Sequence, residues 1–127
     1  MLEIHEIKDF TNYTALLEGI SSDAPHVIEA IENDICVGNA VYDYLDDCVR
    51  LLSLRCIEDL YLLDGIVRTV MLKGSLAGLE YAELTADTAE NADAFKKLGF
   101  LKEGSGRVKI DDFLGKCKHC ENSEKEA

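Results

Sequence analysis

The sequence predicts an α/β (α+β) fold with a mixed, mostly antiparallel central sheet and helices on both faces. Short polar turns separate three consecutive β-prone runs, which is typical of antiparallel hairpins. An apolar run at helical spacing then lies between two strand-like runs, which predicts a right-handed crossover between parallel strands. The 127 residues are enough for one domain with one core.

The first half of the chain contains a strand, a short helix and a meander. Alternating residues predict the first strand, and a helix follows that is capped by Asp9 or Thr11 and ended by Gly19. The turns of the meander contain Asn and Asp residues, which favour hairpins. The predicted strands of this half are 2–8, 26–31, 35–44 and 48–57.

The second half alternates helices and strands. Asp64 is predicted to be the N-cap of a helix that runs to Gly74 or Gly78. A strand at 79–85, a helix from Asp87 to Leu98 and a hairpin from 100–103 to 107–111 follow. We assign residues 1–116 to a single domain and 117–127 to a cysteine-containing polar tail.

Charge and hydropathy exclude several classes of function. A net charge of −12 argues against nucleic-acid binding, and it favours cationic ligands such as a small-molecule amine. The same charge is also explained by solubility alone, without any ligand. No apolar run reaches the roughly 18 residues that span a membrane, and the first ten residues do not resemble a signal peptide. We therefore expect a cytoplasmic protein with reduced cysteines.

Three stretches carry a family resemblance. They are 57–71, which contains Asp64-Gly65-Ile66-Val67-Arg68; 88–100, which ends Phe95-Lys96-Lys97-Leu98-Gly99-Phe100; and Val37-Gly38-Asn39-Ala40. Together with the order of elements, they resemble the GCN5-related N-acetyltransferase (GNAT) family from about His26 to Asp111. The resemblance implies acetyl-CoA as cosubstrate and an amine as acceptor.

The resemblance places a cofactor loop before the second helix. In the family, a glycine-rich turn at the start of a helix presents backbone N–H groups and the positive end of the helix dipole to a pyrophosphate. The family's first loop glycine matches Gly65, but its second matches Val67, and its Arg/Gln position matches Leu62. A valine at that position would crowd the phosphate. The implied cofactor-binding residues are Gly65, Ile66, Val67, Arg68 and Thr69.

The resemblance also assigns catalytic roles. Glu58 and Asp59 lie just past the strand, where a carboxylate can accept a proton from an ammonium group, and Glu58 is the candidate base. Glu83 on the following strand is a second candidate, and the alternative is that Glu58 and Asp59 are solvated loop carboxylates. The backbone N–H of Cys56 or Ile57 would hold the acetyl carbonyl. Phe95 occupies the position of the family's usual tyrosine acid, and it has no proton to give.

The tail contains Cys117, His119 and Cys120 in a C-x-x-C arrangement, which can supply up to three zinc ligands. The remaining ligands would come from other cysteines and histidines of the chain or from a second subunit, which would make the protein a homodimer. A redox pair and a tail without chemistry are the alternatives.

Two functions remain open on the sequence. One is transfer of an acetyl group from acetyl-CoA to a primary amine. The other is a catalytically silent domain of the same fold that binds a ligand or a partner, with zinc at its tail. The departures at Leu62, Val67 and Phe95 favour the second.

Overall fold

A mixed sheet forms the centre of the computed structural model, which describes residues 2–84, 92–100 and 107–114. Its strands within those residues are β1 (Leu2–Ile7), β2 (His26–Glu32), β3 (Ile35–Leu45), β4 (Cys48–Cys56), β5 (Tyr81–Leu84) and β6 (Arg107–Lys109). They lie side by side in chain order. The pair β4–β5 is parallel, and the other neighbouring strands are antiparallel. The predicted mixed, mostly antiparallel sheet is confirmed.

Polar residues with positive φ make the hairpin turns of the meander. Asn33 and Asp34 have φ of 55° and 67°, and Asp46 has φ of 55°. Asn and Asp adopt this left-handed region more readily than other side chains, and such turns match the twist of the strands they join. The meander of β2, β3 and β4 therefore follows from its turn residues.

Helices cover both faces of the sheet. After a 3₁₀ turn (Thr11–Tyr13), the described helices are α1 (Thr14–Glu18), α2 (Leu60–Leu76), α3 (Ala92–Leu98) and α4 (Asp111–Leu114). One core cluster packs α2 with α3 and α4 against the sheet. A smaller cluster packs Tyr13 and its neighbours on Val27, Val41 and Leu52. Helices on both faces were predicted, and this is confirmed.

The start of α2 differs from the prediction, which named Asp64 as its N-cap. The helix begins at Leu60, and the Asp59 carboxylate caps it by accepting hydrogen bonds from the N–H groups of Tyr61 (3.0 Å) and Leu62 (3.2 Å). The earlier start places Leu62 and Leu63 in the core, each 5% exposed. Burial of these two leucines explains why Asp59 is the cap and Asp64 lies inside the helix.

The end of the domain also differs in part from the prediction. The last predicted strand extended to Asp111, whereas β6 ends at Lys109 and Asp111 begins α4. The predicted capping box at 87–90 and the hairpin turn at 104–106 lie outside the described residues. No helix in the described ranges is long and apolar enough to cross a membrane.

Candidate active site

Within the described residues, β4 and β5 pair over part of the length of β4. Their parallel register runs from Cys48–Tyr81 to Leu51–Leu84. Immediately beyond, the register of β4 with β3 shifts: Tyr42 faces Leu51, and Val41 faces Ser53, so β4 carries one extra residue. A bulge of this kind bends a strand and increases its twist. The second half of β4 therefore continues past its paired segment with β5.

The hydrogen-bond alternation of β3 and β4 shows which way the Cys56 N–H points. The N–H of Ile57 donates to the carbonyl of Val37 at 3.1 Å, so these two residues form a hydrogen-bonded pair. The preceding pair, Gly38 and Cys56, is then a non-hydrogen-bonded pair. The N–H of Cys56 consequently points away from β3, toward the side of β4 on which β5 lies.

This geometry separates two predicted donors for the acetyl carbonyl. The N–H of Cys56 points toward the β5 side of β4, and its role as the carbonyl donor stays a prediction. The N–H of Ile57 is already bound within the sheet. The prediction for Ile57 as a backbone donor is therefore wrong.

A groove of about 430 Å³ opens at this end of β4. It lies between the end of the strand, the first turn of α2 and α3. Residues 56–60 and Leu63 line one side, and Asp93, Ala94 and Lys97 line the other. Sequence reasoning missed Asp93 and Lys97 as site residues, although Lys97 is the lysine of the matched K-x-G-F ending.

Among the described lining residues, the groove carries more negative than positive charge. Glu58, Asp59 and Asp93 line it together with one lysine, Lys97. The side chain of Glu58 is exposed at the groove. Glu83, the second candidate base, is not among the lining residues. The groove is therefore suited to an ammonium group and opposes an anion.

The thiol of Cys56 also lines the groove. Burial raises the pKa of Cys56, and the charge of Asp59 raises it further. Since the thiolate is the reactive form, a raised pKa disfavours nucleophilic attack by this thiol.

The segment predicted to be the cofactor loop is part of helix α2. Gly65, Ile66, Val67, Arg68 and Thr69 lie within the helix, beyond its first turn. Ile66 and Val67 are 0% and 1% exposed and belong to the main core. The expectation that Val67 crowds a phosphate is wrong, because this side chain packs against the sheet.

The polar groups of that segment have partners inside the chain. Arg68 donates through Nε to Asp64 at 3.0 Å and through a terminal nitrogen to the carbonyl of Phe113. Its guanidinium carbon also lies 5.4 Å from the centre of the Phe100 ring. The hydroxyl of Thr69 donates to the carbonyl of Gly65 at 2.7 Å. These contacts stabilise the packing of α2. They also hold the Arg68 guanidinium and the Thr69 hydroxyl away from the start of the helix.

Phe95 lies in the core, not in the groove. It is 1% exposed and packs edge-on against Phe100, with ring centres 6.3 Å apart. The groove-lining residues of α3 are its neighbours Asp93, Ala94 and Lys97. The described residues thus place no phenol at the position where the resemblance expects a tyrosine acid.

The predicted zinc ligands Cys117, His119 and Cys120 lie outside the described residues, so zinc binding stays a prediction. Within the ranges that are described, no group of three or more His, Cys, Asp and Glu side chains is arranged to hold a metal ion.

Comparisons with known proteins establish the fold. No family model and no curated protein sequence matches the chain. Among solved structures, the ribosomal-protein-S18-alanine N-acetyltransferase from Escherichia coli aligns with a TM-score of 0.61 at 10% identity, covering 87% of this chain and 94% of that one. The aminoglycoside 6'-N-acetyltransferase from Enterococcus faecium gives 0.61 at 10% identity, with 85% and 97% covered.

A third neighbour is an aminoglycoside N-acetyltransferase solved in complex with CoA. It aligns with a TM-score of 0.57 at 12% identity and covers 85% of this chain and 91% of its own. The chain has the GNAT fold, as the resemblance implied. At these identities the likeness extends to the fold and not to a substrate.

Proposed function

We propose that the protein is a small N-acetyltransferase that moves an acetyl group from acetyl-CoA to an amine. The observation that carries the proposal is the groove at the end of β4, into whose side the N–H of Cys56 points. Structural neighbours with this fold are N-acetyltransferases, and one of them was solved with CoA.

The proposed reaction is direct attack by the amine. The amine lone pair forms a bond to the thioester carbon, and the N–H of Cys56 stabilises the negative charge that develops on the carbonyl oxygen. The carbon–sulfur bond then breaks, and CoA leaves as the thiolate, which takes a proton from water. One such backbone donor typically contributes about 10²–10³ in rate.

Glu58 is the proposed base. Its exposed carboxylate at the groove takes the proton that the amine must lose before or during attack. Asp59 is occupied by its helix cap and is less suited to this role. The excess of acidic groups would also concentrate an ammonium-bearing acceptor near the thioester.

A second candidate is a catalytically silent GNAT-fold domain that binds a ligand or a partner. It is favoured by the internal contacts of Asp59, Arg68 and Thr69. These are groups that would otherwise be available to a cofactor. Phe95 also has no proton to supply.

The two functions differ in turnover. Release of free CoA should be measured with acetyl-CoA and a panel of primary amines, alongside the Glu58→Gln variant. Transferase activity predicts measurable release that drops at least tenfold in this variant, because the amine keeps its proton. The matched control Glu18→Gln, at the exposed end of α1, should retain full activity.

Binding then separates the remaining outcomes. Acetyl-CoA should raise the melting temperature as it saturates the native protein. Binding without CoA release on any amine would favour the silent domain. A melting temperature that does not respond to millimolar acetyl-CoA, together with absent turnover, would remove the transferase.

A further inference from the structure

We infer that the acyl donor is recognised through its acetyl group and the adjoining aliphatic arm, with no favourable contribution from the diphosphate. The substrate class is then short acyl thioesters in general, with acetyl-CoA as one member. This inference rests on the proposed function and concerns the donor side of the same groove.

The first argument is that the chain itself caps the start of α2. Asp59 Oδ1 accepts hydrogen bonds from the N–H groups of Tyr61 and Leu62, and the Asp59 carbonyl accepts from Leu63 at 3.0 Å. Two of the four N–H groups that the helix start leaves without an intrahelical partner, those of Tyr61 and Leu62, are therefore bonded to the Asp59 side chain. A phosphate at this helix end would have to displace the Asp59 carboxylate.

The second argument is the sign of the charge at this end of the helix. A helix N-terminus carries the equivalent of roughly half a positive elementary charge. The Asp59 carboxylate carries a full negative charge at the same place, and Glu58 precedes it in the groove lining. The local field therefore repels a diphosphate instead of attracting it.

The third argument is that Arg68, the cation that the resemblance assigned to the cofactor, is already used. Arg68 is paired with Asp64 at 3.0 Å and also donates to the carbonyl of Phe113. Within the described part of the groove lining, Lys97 is the cation, and it faces Asp93 and Glu58 on that lining. No surplus of positive charge remains there for phosphate groups.

What the groove does offer is apolar surface beside a backbone donor. Ile57, Leu60 and Leu63 line it next to Cys56. Its volume of about 430 Å³ lies within the range of small-ligand pockets. Aliphatic side chains of this kind suit a thioester and its carbon chain, and neither needs a cation.

The decisive experiment compares acetyl-CoA with S-acetyl-N-acetylcysteamine, which keeps the thioester and the start of the arm but has no phosphate. We expect kcat/KM values for the two donors to agree within about threefold. 3'-Phosphoadenosine 5'-diphosphate, the nucleotide part of CoA without the arm, should not inhibit at millimolar concentration. A preference for acetyl-CoA above about thirtyfold, or inhibition by the nucleotide, would overturn the inference and leave the transferase intact.

Transfer from neither donor to any amine would remove the proposed function and the inference with it. Transfer from both at similar efficiency supports the two together. The donor comparison thus tells a failed inference from a failed function.

A charge-neutral variant tests the role of Asp59. Asparagine caps a helix about as well as aspartate, so Asp59→Asn keeps the cap and removes the charge. We expect it to raise kcat/KM for acetyl-CoA at least threefold relative to kcat/KM for the phosphate-free donor, measured at low salt with the same amine. Asp46→Asn, in the turn before β4, is the control for net charge and should change neither value. An unchanged donor ratio in Asp59→Asn would contradict the inference.

Discussion

Gly38 and Cys56 face each other on β3 and β4 so closely that a methyl group on Gly38 would lie 2.8 Å from the Cβ of Cys56. The same methyl group would lie 2.8 Å from Cδ1 of Ile66 and 3.2 Å from the carbonyl oxygen of Arg55. The absence of a side chain at Gly38 lets α2 pack onto the sheet directly behind the proposed oxyanion donor.

The first prediction contrasts two glycines. Gly38→Ala should destabilise the domain by about 1–3 kcal/mol, because the methyl group overpacks the core. Gly65→Ala should be neutral or stabilising by up to about 1 kcal/mol, since alanine favours helix interiors. A Cβ at Gly65 would meet only Cδ1 of Ile4 at an ordinary 3.7 Å. Urea denaturation of both variants checks the contrast, and equal losses would contradict it.

The second prediction tests where α2 begins. Asp59→Ala should cost about 1 kcal/mol of unfolding free energy, because it removes the N-cap. Asp64→Ala removes an ion pair one turn apart with Arg68, a contact typically worth about 0.2–0.5 kcal/mol. Chemical denaturation of the two variants should rank Asp59 first. A larger loss in Asp64→Ala than in Asp59→Ala would indicate that Asp64 is the N-cap.

The sequence determines the strands more clearly than the start of α2. Asn33, Asp34 and Asp46 mark the hairpin turns because their positive φ values are a local property of the residue types. Asp59 and Asp64 are both good N-caps, and local preference does not decide between them. The choice depends on burying Leu62 and Leu63 against a sheet that exists only in the folded chain.

The earlier start of α2 also explains why the predicted cofactor-binding residues do not line the groove. Gly65, Val67 and Arg68 match family positions in sequence, but the earlier helix start moves them past the first turn. Cys56 and Glu58 precede the helix and line the groove, and their roles stay predictions. The groove charges from Asp93 and Lys97 depend on how α3 packs, which the spacing along the chain does not reveal.

The third prediction concerns Val67, whose side chain is in the core. Val67→Gly should lose about 3 kcal/mol or more, from the cavity and from glycine in a helix, and it should not strengthen acetyl-CoA binding. Leu72→Gly measures the effect of glycine in the helix alone, because Leu72 lies in the same helix and is 47% exposed. This variant should lose about 1 kcal/mol of unfolding free energy. Calorimetric titration and thermal unfolding check both, and tighter acetyl-CoA binding by the Val67 variant would contradict the assignment.

The fourth prediction is loss of stability in acid. Burial alone would raise the pKa of Asp43, but hydrogen bonds from Arg50 (2.8 and 2.6 Å) and Ser22 (2.6 Å) outweigh it and hold that pKa below its ordinary value. A lowered folded pKa adds stability above the unfolded pKa, near 4, and this stability is lost as pH falls through the folded value.

Asp43→Asn should therefore lower the free energy of unfolding by about 2 kcal/mol at pH 7, which is the range expected when a partly buried pair is broken. It should also flatten the decline of stability below about pH 4. Urea midpoints between pH 7 and pH 3 measure both effects. Asp34→Asn, at an exposed turn, is the control and should retain the acid dependence of the parent. If stability declines equally at low pH in the parent and in Asp43→Asn, the Asp43–Arg50 pair is not the source of the acid dependence.

The order of the strands has a kinetic consequence. Strands β1 to β4 pair with the strands next to them in the chain. The parallel pairing of β4 with β5 instead requires the crossover connection that contains α2. Short-range hairpins lose less chain entropy on closure, so the meander should form ahead of the parallel pair. In stopped-flow measurements, Val41→Ala should mainly slow refolding, and Ala82→Gly should mainly speed unfolding. The opposite pattern would place the rate-limiting event at the crossover.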